Sequence, residues 1–295
     1  MKVVKKNTAS EEAIATLPSA QPATQPATRS GGLHPELRRM LVKVPQVTVA
    51  FWVIKVLATT VGETAADFLA TQFGLSLLSL IGIMGTALAA VLVFQFRAYK
   101  YVPSYYWLSV VLISVFGTLI TDVLVDDHGV SLWTCTIGFG AAMLATFAVW
   151  FQQERTLSIH SIDSTEREAF YWLAILFTFA LGTAAGDLLA EKLSLGYFNS
   201  LLLFTAMIAA VAVAWRYLDL NAVVAFWMVY ILTRPLGAST GDYLSQDKVN
   251  GGLALGTTVT SLVFLGAILG VVVYMTMRER RSSIGPTDPE PALAA

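Results

Sequence analysis

The sequence predicts an all-α polytopic membrane protein, in which eight transmembrane helices form four parallel helical-hairpin repeats, two in each half. Composition is the first observation, because 56% of the 295 residues are hydrophobic, only 13% are charged and the mean hydropathy is +0.65. A soluble domain carries about 25% charged residues. The second observation is a pattern of Trp, Gly and Asp that occurs four times, and the third is the distribution of charge among the spans.

Eight apolar stretches reach the roughly 20 residues that a helix needs to cross a bilayer. They are predicted at residues 46–70, 74–95, 104–125, 131–151, 168–190, 197–215, 220–244 and 251–276. The polar, Pro-containing ends, 1–44 and 278–295, are predicted to be disordered cytoplasmic tails. The transmembrane domain between them, 45–277, divides into repeats at about 45–100, 101–155, 165–218 and 219–277.

The basic residues predict the orientation of the chain. Eleven Lys and Arg residues lie in the tails next to the membrane and in the connections after even-numbered spans. Only Lys192 and Lys248 lie in the other connections. Since cytoplasmic loops carry the excess of bases, both termini are predicted to be cytoplasmic, in the inner membrane of a bacterial cell.

Composition also narrows the classes of function. The single Cys135 excludes an intramolecular disulfide and a cysteine-cluster metal site, and the three histidines lie in tails or loops. A net charge of −1 gives no indication of a nucleic-acid partner. Because no nucleophile elbow, phosphate loop or haem motif occurs, we expect no enzyme and no resident cofactor. The expected partners are the lipid bilayer and a small ion or solute.

The repeat is the strongest signal in the sequence. Each odd-numbered span reads aromatic–Trp, nine residues, Gly, four residues, Asp, one residue, Leu. The four copies are AFWVIKVLATTVGETAADFL, YYWLSVVLISVFGTLITDVL, FYWLAILFTFALGTAAGDLL and AFWMVYILTRPLGASTGDYL, which begin at residues 50, 105, 170 and 225. Because each repeat contains two spans, all four copies enter the membrane in the same direction.

On these residues the chain resembles a bacterial membrane-protein family defined by four tandem copies of a two-helix repeat of unknown function. In that family each copy has two transmembrane segments and a characteristic tryptophan. The positions that match the family's tryptophan are Trp52, Trp107, Trp172 and Trp227. The resemblance covers about residues 45–277 and implies the architecture; we interpret the tryptophans as structural.

Charged residues within the spans indicate which helices face inward. The odd-numbered spans carry Glu63, Lys55, Arg234 and one Asp per copy, whereas the even-numbered spans carry no charge. A charge at a helix centre costs about 2.5–3.5 kcal/mol on insertion scales. We therefore predict an inner ring of odd-numbered helices, with the even-numbered helices outside it against lipid.

The repeat acids are the candidate site. Those predicted to bind an ion or substrate, or a metal ion, are Asp67, Asp122, Asp187 and Asp242, with Glu63 assisting. Hydroxyls lie beside them in sequence, and hard divalent cations prefer such oxygen ligands. Lys55 and Arg234 could compensate the acids or bind an anion. Pro235 predicts a break in the seventh span, and the predicted hinges are Gly62, Gly117, Gly182, Pro235 and Gly237.

Alternatives remain open at this point. The aspartates could simply reach water at the outer interface, and the glycines could be close-packing positions. The first functional hypothesis is a transporter or exporter of an inorganic, probably divalent, cation. The second is a carrier of a small organic solute whose carboxylate contacts Arg234 or Lys55. The third is a non-transporting scaffold or sensor that acts through its tails.

Overall fold

The structure, a computed structural model, describes residues 42–72 and 74–282, the last five by their backbone alone. Eight helices in this part of the chain are long and apolar enough to cross a membrane, as predicted, and the same residues form no strand. They are α1 (Val49–Gln72), α2 (Leu77–Arg97), α3 (Pro103–Asp122), α4 (Leu132–Glu154), α5 (Thr165–Asp187), α6 (Tyr197–Tyr217), α7 (Ala222–Ser245) and α8 (Thr257–Ser282).

Polar residues at the membrane ends start several of these helices. Ser76, Ser131 and Ser164 each accept a hydrogen bond from the backbone N–H three residues further on, at the start of α2, α4 and α5. Asn221 caps α7 in a similar way. Pro103 occupies the first turn of α3, where its missing N–H is not needed.

The odd-numbered helices form the inner ring that the charge pattern predicts. Between 50% and 61% of the residues in their apolar segments are buried, against 11–22% for the even-numbered helices. Around the ring α1 packs on α3, α3 on α5, α5 on α7, and α7 returns to α1. The ring therefore has a central axis that all four copies of the repeat face.

The outer helices pack in a way that the sequence did not indicate. The two helices of the first hairpin, α1 and α2, touch only slightly. Instead α2 packs on α3, α4 on α5, α6 on α7, and α8 on α1. Each repeat therefore covers the next one along the ring, and the fourth covers the first.

Three predicted boundaries are wrong. The eighth helix begins at Thr257 and not at 251, because Gly251, Ala254 and Gly256 have positive φ values that no helix contains. It also continues to Ser282, into the predicted tail. At the other end Lys43 and Val44, predicted to lie in a disordered tail, are buried against the bundle. The predicted tails 1–41 and 283–295 lie outside the described residues.

The predicted break at Pro235 is also wrong, since α7 is continuous from Ala222 to Ser245. The Thr233 hydroxyl donates to the Tyr230 carbonyl, and the Thr59 hydroxyl from α1 donates to the Thr233 carbonyl. Neighbouring helices and threonine hydroxyls commonly stabilise a proline turn within a membrane in this way.

The helical irregularity lies at the aspartates instead. A π-helical turn, Val123–Asp127, follows Asp122 directly, and a second one, Leu188–Lys192, follows Asp187. Such widened turns occur frequently at functional sites.

Candidate functional site

At one end of the ring, here termed the tryptophan end, aromatic side chains form a closed belt. The aromatic residue that precedes each repeat tryptophan contacts the tryptophan of the next copy, and the fourth copy contacts the first. The pairs and their ring-centroid distances are Phe51–Trp107 at 5.6 Å, Tyr106–Trp172 at 5.5 Å, Tyr171–Trp227 at 6.2 Å and Phe226–Trp52 at 5.6 Å. These contacts support the structural role predicted for the four tryptophans.

The repeat glycines form a second cyclic set of contacts. Each lies against the side chain three residues before the glycine of the next copy, so closely that a Cβ atom there would collide with it. The pairs are Gly62–Ser114, Gly117–Phe179, Gly182–Arg234 and Gly237–Thr59. The helices run without a break through all four positions, and these contacts agree with close packing at the glycines; their hinge role stays a prediction.

Arg234 occupies the axis in the middle of the ring. Its side chain is fully buried, and Nη2 donates to Glu63 Oε2 at 2.9 Å, to Thr183 Oγ1 at 2.6 Å and to Thr118 Oγ1. The three acceptors are the residues that follow the repeat glycine in copies one, three and two. The fourth such residue is Ala238, whose methyl group offers no acceptor, and the Arg234 guanidinium occupies this level of the axis.

Lys55 lies one layer closer to the tryptophan end and is also fully buried. Its Nζ has no hydrogen-bond acceptor among the described residues. It lies instead over the rings of Phe179 and Tyr230, 4.1 and 4.2 Å from their centroids. Cation–π contacts of this kind stabilise a desolvated ammonium by about 2 kcal/mol. Lys55 and Arg234, the two predicted compensating bases, therefore both lie in the interior of the ring.

The acids meet on the other side of Arg234. Oxygens of Glu63, Asp187 and Asp242 all lie within 4.8 Å of one another. Asp67 and Asp122 are outside that set, although each is close enough to Glu63 for an electrostatic interaction. Two of the four predicted aspartates therefore converge with Glu63, and the other two flank them.

The carboxylates of this cluster differ in their partners. Glu63 forms the buried ion pair with Arg234. Within the described chain, neither Asp187 nor Asp242 accepts a side-chain hydrogen bond or forms an ion pair. Asp242 is nevertheless only 6% exposed. A carboxylate as buried as Asp242 normally has a base or a metal ion as partner, and no described residue forms an ion pair with it; Asp187 is partly exposed.

Comparison with known protein families agrees with the repeat. A sequence profile described as a Repeat of Unknown Function (DUF347) matches four successive segments of the chain, residues 50–101, 105–156, 170–219 and 225–281. The chain belongs to the DUF347 repeat family. No curated protein and no solved structure gave a significant match.

The DUF347 repeats of this chain are therefore equivalent in architecture and different on the axis. Counted from the repeat tryptophan, the same inward position holds Thr59, Ser114, Phe179 or Arg234. The helices of the four copies are arranged alike around the axis, and the copies differ in the polarity and charge of the side chains that face it. Those differences are visible in the sequence, but the convergence of Glu63, Thr118 and Thr183 on the Arg234 guanidinium is not.

A second buried polar cluster in the DUF347 ring was not predicted. Glu168, only 1% exposed, accepts from Lys43 Nζ at 2.8 Å and from Gln95 Nε2 at 2.9 Å. Lys43 also donates to the Phe96 carbonyl. Glu168 is near a polar connection in sequence, and Lys43 was assigned to a tail, so no pattern signalled the pair. The cluster fastens the segment before α1 to the ends of α2 and α5.

Proposed function

We propose that this protein is a carrier, not an enzyme, that transports an inorganic divalent cation across the membrane. The observation that carries the proposal is the convergence of Glu63, Asp187 and Asp242 within 4.8 Å. The two aspartates form no ion pair with any described residue. Asp67 and Asp122 add two further carboxyl groups, each close enough to Glu63 and Arg234 for an electrostatic interaction.

The size of the cluster suits one ion. Calcium binds oxygen ligands at about 2.3–2.6 Å, so two ligands on opposite sides of the ion are about 5 Å apart. Oxygens within 4.8 Å of one another can therefore contact a single cation of this radius. The ion pair with Arg234 compensates Glu63 alone, and the two remaining carboxylates, when ionised, favour a divalent over a monovalent ion.

Arg234 provides the counter-charge while no ion is bound. Its Nη2 bonds Glu63 and two threonine hydroxyls, a set of oxygens that would equally suit a metal ion. An arriving cation competes with the guanidinium for Glu63. We propose that this exchange couples occupation of the acid cluster to movement along the axis.

The membrane assignment rests on the distribution of bases. Eleven bases against two favour both termini in the cytoplasm, with the acid cluster toward the outside, in a bacterial inner membrane. The aromatic belt would then close the cytoplasmic side of the axis.

The test is flux of Mg²⁺, Mn²⁺ and Ca²⁺ into proteoliposomes. We expect flux with the wild-type chain and its loss in Asp187→Asn and in Asp242→Asn, since each variant removes one ligand charge. Asp247→Asn is the matched control, because Asp247 is exposed just after α7. Equal flux in all four proteins would remove the acids from the path. No flux from folded wild-type protein, for any of the three ions, would refute cation transport.

A second candidate has its own observation. Arg234 Nε and Nη1 and Lys55 Nζ are buried without acceptors in the described chain. A carrier of small organic acids would place a substrate carboxylate against them. Thermal stabilisation of the wild-type protein by succinate, lost in Lys55→Met and not weakened by added Mn²⁺, would favour this candidate over the first.

A further inference from the structure

A long groove runs along the lipid-facing side of the ring at the tryptophan end. It encloses about 620 Å³ between α1, α6, α7 and the connection that precedes α5. Its lining follows α7 from Ala222 to Leu236, a distance of about 21 Å at 1.5 Å per residue. That length exceeds half of the roughly 30 Å hydrocarbon thickness of a bilayer, so the groove is long enough to span one leaflet.

The outer helices α4 and α6 differ at two equivalent positions beside the groove, one of which holds a phenylalanine in α4 and an alanine in α6. On α4, Phe147 and Trp150 fill the equivalent space and contact Trp227 at 4.8 and 5.9 Å. At the same distances from the repeat tryptophan, α6 has Ala212 and Trp215. Trp150 is fully buried, whereas Trp215 is 53% exposed. The space beside Trp52 is therefore less filled than the equivalent space beside Trp227.

The lining is mainly apolar, and its polar side chains lie near one end except for Thr233, whose hydroxyl donates to the Tyr230 carbonyl. Side chains of α6 and α7 supply aliphatic and aromatic contacts over most of its length, and the polar Ser158 and His160 come from the connection before α5. Trp52 adds an indole N–H. The other three repeat tryptophans donate theirs to Tyr101, Glu168 and the Leu157 carbonyl, while Trp52 has no acceptor among the described residues.

We propose that this groove binds one acyl chain of a membrane phospholipid from the leaflet at the tryptophan end. The chain lies along α7 between Ala212 and Val229, and the ester and phosphate oxygens accept from Trp52 Nε1, Ser158 and His160. A space lined mainly by apolar groups, with a few polar donors at one end, matches an amphiphile. Since it opens to lipid, a bilayer phospholipid reaches it without crossing water. This inference is independent of the proposed transport function.

Native mass spectrometry of the full chain tests it. Delipidated protein is titrated with palmitoyl-oleoyl phosphatidylglycerol, and adducts with one lipid are counted. We expect one lipid that survives collisional activation in the wild type and in Ala210→Phe, because Ala210 is exposed to lipid outside the groove. In Ala212→Phe, which restores the aromatic residue of α4, affinity should fall at least about tenfold.

Several results would overturn the proposal. One is equal retention of lipid by Ala212→Phe and the wild type, with both proteins folded as judged by their melting temperatures. If Ala212→Phe fails to fold, Ala212→Leu fills less space and should still weaken the adduct; unchanged binding there also refutes it. Finally, if the wild type binds no lipid but a chain lacking residues 1–41 does, the occupant is the N-terminal segment and not a phospholipid.

Discussion

Arg234 shows how one residue can give a symmetric frame an asymmetric centre. Nη2 of Arg234 donates to one oxygen from each of three copies. Nε and Nη1 of the same side chain have no acceptor among the described residues. Arg234 thus binds Glu63, and its Nε and Nη1 remain as buried donors that could bind a further group. The buried ion pair therefore organises the site more than it stabilises the fold, because desolvation offsets much of its attraction.

Double-mutant analysis can measure this pair. Arg234→Met should destabilise the protein by about 3–5 kcal/mol, since it leaves Glu63 buried without a base. The double variant Glu63→Gln, Arg234→Met should be less destabilised than the sum of the two single variants, because both charges are gone. Unfolding in mixed micelles gives all three values. Strict additivity would show that the two side chains do not interact.

At this scale the sequence reveals residue types better than partners. Glu63, Arg234 and the four aspartates could be selected as candidates because charge within a span is costly. Their pairing could not, since Glu63 and Arg234 are in the first and fourth copies, and helix rotation decides which residues face one another. Glu168 was missed because its partners Lys43 and Gln95 come from two other segments.

Among the elements, the inner helices depend on glycine for their close approach. Gly182→Ala should cost about 1–3 kcal/mol, because its Cβ would collide with the Arg234 side chain. Gly138→Ala is the control: it lies on the outer helix α4, where an added Cβ meets nothing, so it should be neutral or slightly stabilising. Thermal unfolding of both variants distinguishes close packing from a hinge role, which would leave stability nearly unchanged.

The elements themselves were largely predictable, because each span requires a continuous apolar run. The errors have local causes. Glycines after α7 allow positive φ and delay the last helix, and neighbouring helices keep α7 continuous through Pro235. The π-helical turns after Asp122 and Asp187 have no simple sequence signature, since the extra residue in each turn is ordinary in type.

For the whole molecule, the predicted orientation leads to a labelling experiment. In a Cys135→Ser background, Asp127→Cys lies after α3 and Asp219→Cys lies after α6, both exposed and at opposite ends of the bundle. A membrane-impermeant maleimide applied to intact cells should label the first and spare the second, which should react only after lysis. The reverse pattern would place the acid cluster on the cytoplasmic side.

The packing of α7 and α8 back onto α1 has a consequence for biosynthesis. A membrane protein emerges from the ribosome beginning with its N-terminal segments, so α1 enters the bilayer long before the helices that cover it. Until α7 and α8 are synthesised, Lys55 and Glu63 are not fully surrounded by protein, and Glu63 lacks its ion-pair partner Arg234. We therefore expect the insertion machinery to shield Lys55 and Glu63 of the nascent chain from lipid until α7 and α8 have been synthesised.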